Sequence, residues 1–243
     1  MSASRRFAAY IAHELRTPIT LQLALAESAL ADPDADEVTW RAMAEGIVAG
    51  CEHQRRLLDA LLDLARSQHG VTRQEPVDIS ALTGLALLAQ DLGDFDSVVT
   101  LEPAVAAGDR DLLQRLVANL VSNAVRHNTP RGRIEVSTRA VAGSAVLFVA
   151  NTGPLIPAGE VARLFQPFER LGSSPRRCAD GLGLGLAIVQ SIADAHNAVV
   201  AAYGPAAGGL EIEVRFPPVV CATSWLVAEP SSSQIVLTSR SMR

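Results

Sequence analysis

The sequence contains no lysine, since all 21 of its basic side chains are arginine. Together with the many alanines, this indicates a compositional bias, so an arginine in place of lysine carries little functional information. Cysteine is scarce: Cys51, Cys178 and Cys221 lie far apart and form no C-x-x-C pair. That spacing provides neither a disulfide framework nor a cysteine metal site, and it fits a reducing cytosol.

Long apolar runs are also absent. No stretch reaches the roughly 18 apolar residues needed to cross a bilayer, and no secretory signal is recognisable. The net charge of -5 argues against direct binding to nucleic acid. Hydrophobic residues make up 49% of the 243 residues, which is enough for a core in one large domain or two small ones.

The most informative stretch is His13-Glu14-Leu15-Arg16-Thr17-Pro18, which lies in a helical pattern. The apolar residues recur about one turn apart, on a stripe formed by Phe7, Ile11, Leu15 and Ile19. His13 lies off that stripe, so we expect its side chain to face solvent.

The neighbours of His13 suit a nucleophilic imidazole. Imidazole has an unperturbed pKa of about 6.5 and is mostly neutral near pH 7. Glu14 can orient the ring and accept its proton, and Thr17 lies on the same side of the helix. Pro18 has no amide proton, so the helix is expected to bend just past the histidine. The remaining histidines are interpreted as mainly structural: His53, His69, His127 and His196.

Two helices are predicted at the start of the chain, over residues 4–31 and 36–67, with Pro33 in the turn. The second carries an apolar stripe formed by Ile47, Cys51, Leu57, Leu58, Leu61, Leu62, Leu64 and Ala65. The stripe is wider than one partner helix could cover. Pairing with a second copy into a four-helix bundle is the favoured explanation, and packing on the downstream domain is the alternative. Residues 70–78 are predicted to be a hinge.

A later helix carries two asparagines, although asparagine is disfavoured within helices. Asp109 is predicted to cap this helix, which runs to about His127. Asn119 and Asn123 are four residues apart and share a face, so their amide oxygens could bind a hard cation such as Mg²⁺. Arg126 lies on the same side and could pair with a phosphate. Solvent exposure of the two asparagines is the simpler alternative.

A glycine-rich stretch, Gly181-Leu-Gly-Leu-Gly185, follows the asparagine helix in the sequence. Its glycines would let the backbone approach phosphates. The helix predicted after them points its N-terminal amides at the same place. The spacing does not match a dinucleotide-binding motif. The other predicted elements are a helix at 79–90, strands at 98–101, 133–138, 145–150, 199–203 and 210–216, a helix at 184–196 and a mobile flap at 171–180.

The strand that ends at Asn151 leads into Asn-Thr-Gly-Pro, and a short helix then precedes Phe165 and Phe168. His-Glu-Leu-Arg-Thr-Pro, the asparagine helix, this turn, the F-x-x-F segment and the glycine loop occur in that order. The set resembles the five sequence boxes of the bacterial two-component sensor histidine kinases. The resemblance covers roughly residues 4–218, and the tail at 219–243 has no counterpart. That tail could add an edge strand or be disordered, and we favour disorder past Pro230.

The resemblance implies a fold and a division into domains. Residues 1–69 would be a helical hairpin that dimerises and carries the phosphoacceptor histidine, and residues 70–78 the hinge. Residues 79–218 would be a two-layer α/β sandwich of the GHKL (Bergerat) ATPase type, the fold of gyrase, Hsp90 and MutL. The overall class is therefore α + α/β.

The resemblance also implies site residues. His13 would be the phosphoacceptor, Glu14 the base and Thr17 a residue that positions water for dephosphorylation. Asn119 and Asn123 would hold Mg²⁺. The residues implied to bind ATP are Asn119, Asn123, Arg126, His127, Asn151, Gly153, Phe165, Phe168, Gly181, Gly183, Gly185 and Leu186. The family usually has aspartate where Asn151 stands, which predicts weaker or altered nucleotide recognition rather than loss of binding.

The function implied is ATP-dependent phosphorylation of His13, followed by transfer to an aspartate on a separate response regulator. The alternatives are a catalytically weak ATP-binding module that regulates a partner and an enzyme that acts mostly as a phosphatase. Family members are usually anchored to the inner membrane by an N-terminal sensor. None is found ahead of His13 here, so the expectation is a cytoplasmic homodimer that receives its signal from a separate or missing sensor module.

Overall fold

The computed structural model of the chain describes residues 3–32, 36–68, 74–169 and 183–219. Side chains are described from Ile11 onward within the first range and to Ser67 within the second. The predicted flap, Gly181, the first part of the hinge and nearly all of the tail lie outside the described residues. Within the described part, no helix is both long and apolar enough to span a membrane.

The two predicted helices are confirmed as α1 (Ala3–Ala31) and α2 (Glu37–Gln68). Asp36 accepts a hydrogen bond from the amide of Thr39 at 2.9 Å, which satisfies a free donor at the start of α2. Pro18 lies inside α1, which is a single helix across it.

The helices of this hairpin approach closely where α2 has glycines. A Cβ atom on Gly50 would lie 2.5 Å from the side-chain nitrogen of Gln22, and one on Gly46 would lie 2.9 Å from a methyl of Leu25. The same Gln22 nitrogen donates to the carbonyl oxygen of Ile47 at 3.3 Å. The glycines therefore make room for a polar side chain between the two helices.

The apolar stripe of α2 has a buried part and an exposed part, which bear on the two explanations considered from the sequence: packing on the downstream domain and pairing with a second copy. Leu57 and Leu64 are buried, at 0% and 7% exposed, and belong to the core cluster shared with the rest of the chain. Leu58 and Leu62 are 50% and 53% exposed. Packing on the downstream domain, the alternative, thus accounts for part of the stripe, and the uncovered part is compatible with the favoured pairing with a second copy.

The second half of the chain is built on a five-stranded sheet. Its strands are β2 (Asp96–Leu101), β4 (Arg133–Val141), β5 (Ser144–Asn151), β6 (Val199–Tyr203) and β7 (Leu210–Arg215). They lie side by side in the order β2-β4-β5-β7-β6. The pair β2 and β4 is parallel, and the other neighbours are antiparallel. All five strands were predicted, with ends that differ by a few residues.

The hinge prediction is wrong for residues 75–78. They form strand β1 (Glu75–Asp78), which pairs antiparallel with β3 (Val105–Gly108), a strand that the sequence pattern did not reveal. Val77 and Ala106 are both buried. The segment is therefore fixed to the second domain by a partner about 30 residues further along the chain.

The helices of this half are α3 (Ile79–Leu88), α4 (Arg110–Arg126), α5 (Ala158–Val161) and α6 (Gly185–Ala195), and a 3₁₀ turn spans Ala162–Phe165. Apolar residues of α3, α4 and α6 share one core cluster with Ile134, Val149 and Ile212 of the sheet. This arrangement confirms the predicted two-layer α/β sandwich. Asp109 caps α4 as predicted, since its carboxylate accepts from the amides of Asp111 and Leu112.

Candidate phosphoacceptor and nucleotide site

His13 is exposed on α1, as its position off the apolar stripe predicted. Glu14 is half-buried beside it, and Leu15 packs against the core. The hydroxyl of Thr17 is also exposed and donates to the carbonyl oxygen of His13 at 3.1 Å. The helix therefore presents the imidazole and the hydroxyl at one open surface, one turn apart.

Asn119 of α4 faces the start of α6. Its side-chain nitrogen donates to the carbonyl oxygen of Arg115 at 2.9 Å, which leaves Oδ1 as an acceptor. A Cβ atom on Gly185 would lie 3.4 Å from that oxygen. Asn123 is half-buried one turn further along α4, and Arg126 is exposed at its end. The asparagine helix and the glycine loop thus meet, as the sequence predicted.

The start of α6 suits anionic groups. Among the residues that the structure describes, no side chain caps it, and Leu184 at its N-terminal boundary is 2% exposed. Its first amides are therefore available to a phosphate near Gly185. Leu186, predicted to bind ATP, is only 8% exposed and belongs to the core, so only its main chain could contact a nucleotide.

Asn151 ends β5 on the helix-covered face of the sheet, in register with the buried residues Ile134 and Leu210. It is 8% exposed, and its side-chain nitrogen donates to the carbonyl oxygen of Thr152 at 2.7 Å. A carboxylate in this orientation would oppose that carbonyl, whereas the amide leaves its own oxygen as an acceptor. The asparagine therefore suits the local backbone.

Gly153 must be glycine where the chain turns away from β5. A Cβ atom there would lie 2.8 Å from the carbonyl oxygen of His127, at the end of α4. Gly208 and Gly209, with φ of 88° and 100°, pack against the same turn, and the amide of Gly209 donates to the Pro154 carbonyl at 3.0 Å. The last two glycines were predicted only as a turn between strands.

Sequence reasoning missed a polar network that joins this turn to the end of α4. The Thr152 hydroxyl donates to the side-chain oxygen of Asn128 at 2.6 Å and accepts from the amide of Arg133 at 2.9 Å. The nitrogen of Asn128 donates to the carbonyl oxygen of Arg133 at 3.2 Å. Asn128 adjoins the asparagine motif in the sequence, but no local pattern reveals its partners.

Phe165 and Phe168 are half-buried and pack against the core. The amide of Phe168 donates to the carbonyl oxygen of Gly183 at 2.8 Å. This bond brings the F-x-x-F segment beside the glycine loop. The two segments were predicted to serve one ATP site, so they were expected to lie close together.

His196 connects α6 and α4, the two helices of the site, through hydrogen bonds of its imidazole. The imidazole is 4% exposed; its Nδ1 lies 2.7 Å from the carbonyl oxygen of Ile192, and its Nε2 accepts from the amide of Asp109 at 3.1 Å. Burial lowers the pKa of this imidazole below its ordinary value. The ring therefore joins the end of α6 to the start of α4 in its neutral form, in agreement with the structural role predicted for it.

A cavity of about 900 Å³ separates α2 from the first half of α4. Asp63, 5% exposed, lies there 3.7 Å from the guanidinium of Arg115. Burial raises the pKa of Asp63, and Arg115 opposes that shift. One turn further along α2, the hydroxyls of Ser67 and Ser191 are 2.6 Å apart. These polar contacts join the hairpin to the second domain.

Comparison with known proteins identifies both halves of the chain. Residues 3–70 match the family described as His Kinase A (phospho-acceptor) domain, and residues 108–220 match the histidine kinase-, DNA gyrase B- and HSP90-like ATPases. The solved mycobacterial sensor histidine kinase MprB is 32% identical, with a TM-score of 0.53, over 60% of this chain and 97% of that one. The chain belongs to the sensor histidine kinases.

Other relatives agree with this assignment. The sensor protein CutS of Streptomyces coelicolor is 39% identical over 222 residues, which cover 89% of this chain and 53% of CutS. The chain thus spans about half the length of the curated relatives it matches. Histidine kinase ThkA, solved in complex with response regulator protein TrrA, has the same fold: the TM-score is 0.66 at 20% identity, over 88% of this chain and 61% of ThkA.

Proposed function

We propose that this histidine kinase chain transfers the γ-phosphoryl group of ATP to His13. A lone pair of the imidazole attacks the γ-phosphorus, a P–N bond forms, and the bond to the β–γ bridging oxygen breaks to release ADP. Glu14 accepts the proton from the ring. The observation that supports this proposal most strongly is the meeting of Asn119 and Gly185, because it brings neutral oxygen ligands beside uncapped helix amides.

Mg²⁺ is part of the proposal, and the residues fit it. Amide oxygens are hard ligands, and the side-chain oxygen of Asn119 lies beside Gly185 at the start of α6, where the phosphates would approach. We assign Asn119 and Asn123 to the ion and Arg126 and His127 to the phosphates. The bound ion would neutralise phosphate charge. We assign binding of the triphosphate to the main chain of Gly181, Gly183, Gly185 and Leu186. We assign binding of the adenine base to Asn151 and Gly153. Phe165 and Phe168 are assigned to anchoring the flap predicted at 171–180.

We propose that the phosphoryl group then passes to an aspartate of a separate response regulator. The exposed setting of His13 supports this step, because a partner must reach the P–N bond. The hydroxyl oxygen of Thr17 can still accept a hydrogen bond while its proton is donated to the main-chain carbonyl oxygen of His13. Thr17 is therefore able to position water for dephosphorylation of the regulator. A separate sensor module would set the balance between the kinase and phosphatase activities.

A homodimer completes the proposal. Exposed apolar side chains on both helices of the hairpin support it, since leucines such as Leu23, Leu58 and Leu62 are half exposed. A second copy would cover them as a four-helix bundle. Such a dimer leaves the nucleotide site within a single chain.

The test is incorporation of γ-labelled phosphate from Mg-ATP, followed by an acid-lability assay and by addition of a receiver domain. We expect an acid-labile phosphoprotein that His13→Gln abolishes and His53→Gln, a matched change on α2, preserves. Thr17→Ala should keep autophosphorylation and slow dephosphorylation of the receiver. Label retained in His13→Gln would reject the assignment, and binding of Mg-ATP without any phosphohistidine would favour a regulatory ATP-binding module.

A further inference from the structure

Phe168 and Gly183 are joined by a main-chain hydrogen bond although they are 15 residues apart in the sequence. Phe168 has a φ of 67° and Gly183 has a φ of 66°, and the amide of the first donates to the carbonyl of the second at 2.8 Å. A left-handed conformation suits glycine but is unfavourable for phenylalanine. Phe168 therefore needs support from its surroundings to keep this bond.

Arg163 provides that support from the 3₁₀ turn. One guanidinium nitrogen lies 2.6 Å from a carboxylate oxygen of Glu160, and the other lies 2.9 Å from a carboxylate oxygen of Glu169. The carbonyl of Arg163 also accepts from the amide of Gln166 at 3.0 Å. A single side chain thus holds residues on both sides of the F-x-x-F segment, and Glu169 directly follows Phe168.

The same contacts continue to the nucleotide site. Gly183 is two residues before Gly185, where α6 begins, and a Cβ atom on Gly185 would lie 3.4 Å from the side-chain oxygen of Asn119. A change in the position of Phe168 would therefore move the loop that carries the phosphate-binding amides. The base, assigned to Asn151 at the end of β5, lies on a separate element.

We propose that Arg163 is a positioning residue for the triphosphate of ATP. By joining Glu160 to Glu169, it keeps Phe168 in the conformation that fixes Gly183 and the start of α6. It acts through these residues and does not itself touch the nucleotide. The inference rests on the proposed function, since it assumes that ATP binds between α4 and α6.

The experiment measures the dissociation constants of two probes, Mg-ATP and adenosine, for the full chain. Half-exposed ion pairs have modest effects, so Arg163→Ala should weaken Mg-ATP by about three- to tenfold. Adenosine, which lacks the phosphates, should change by less than about twofold. Arg163→Lys keeps the charge but loses the planar fork, so an intermediate loss is expected. The control is Arg41→Ala, which removes a 3.0 Å pair with Glu37 on α2 and should change neither constant.

Each outcome has a distinct meaning. Equal weakening of both probes by Arg163→Ala, or no change in either, would overturn the positioning role while leaving ATP binding intact. A lowered melting temperature with an unchanged ratio of the two constants would show a merely structural role. Failure of the unsubstituted chain to bind Mg-ATP would instead overturn the proposed function.

Discussion

His13 and Asn151 have opposite surroundings. The imidazole lies on the open face of α1, where the Thr17 hydroxyl donates to the main-chain carbonyl oxygen of His13. Asn151 is almost fully buried, with β4, β7 and the end of α4 around its turn. The proposed nucleotide site is thus preorganised by one chain, whereas the proposed phosphoacceptor is open to other molecules.

The largest expected effect tests this difference at the hairpin. Leu58→Glu combined with Leu62→Glu should convert the dimer into monomers. Full burial of a leucine contributes about 1.5–3 kcal/mol, and about half of Leu58 and of Leu62 is already covered within one chain. The four leucines of a dimer would therefore account for a loss of roughly 3–6 kcal/mol. Sedimentation velocity measures the change, and Mg-ATP affinity should stay the same because the site lies within one chain.

Leu88→Glu is the matched control for that substitution, because Leu88 is 86% exposed at the end of α3 in the other half of the chain. It should leave the oligomeric state unchanged. If the double variant still sediments as a dimer, the exposed face of α2 is not the interface.

The same contrast explains what the sequence could predict. Asp109 as a cap and the shared face of Asn119 and Asn123 follow from spacing within one helix, and both were predicted correctly. The hinge was wrong at Glu75–Asp78 because the partner strand β3 is distant in the sequence. The contact between Thr152 and Asn128 also escaped prediction, since it exists only where two elements meet.

The division of the α2 stripe was equally hidden. Leu57 and Leu58 are adjacent apolar residues, yet one is buried against the core and the other is half exposed. A helical pattern gives the width of an apolar stripe but not which molecule covers each part of it. The family resemblance predicted the fold correctly and proposed the site residues, whereas the packing had to come from the structure.

A smaller effect is expected at the nucleotide side. Asn119→Ala should weaken Mg-ATP by about tenfold or more, because even residues that only orient metal ligands contribute about 10–100-fold to metal affinity. Isothermal titration measures the change, and the dimer should persist. Ser122→Ala, a half-buried position on the same helix, should bind Mg-ATP normally. Equal affinity of Asn119→Ala and the unsubstituted chain would remove Asn119 from the site.

The smallest expected effect is a pH dependence of stability from His196. Its folded pKa lies below the ordinary value of 6.5, so the unfolded chain binds the proton more tightly. Asp109, whose amide donates to the ring and whose negative charge raises that pKa, is the charged group that opposes the shift. The free energy of unfolding should therefore be highest above pH 6.5 and fall as the pH drops from there through the folded pKa.

Each unit by which the folded pKa lies below 6.5 corresponds to about 1.4 kcal/mol of lost stability. Urea denaturation between pH 7.5 and pH 5 measures this loss, and His196→Gln serves as the reference because it cannot titrate. The variant should be less stable at pH 7.5, since the joint between α4 and α6 is altered, and its disadvantage should shrink as the pH falls. Parallel curves for the two proteins would mean that the folded and the unfolded chain bind the His196 proton equally well. That result would contradict the hydrogen bond from the Asp109 amide, because a protonated imidazole has no lone pair to accept it.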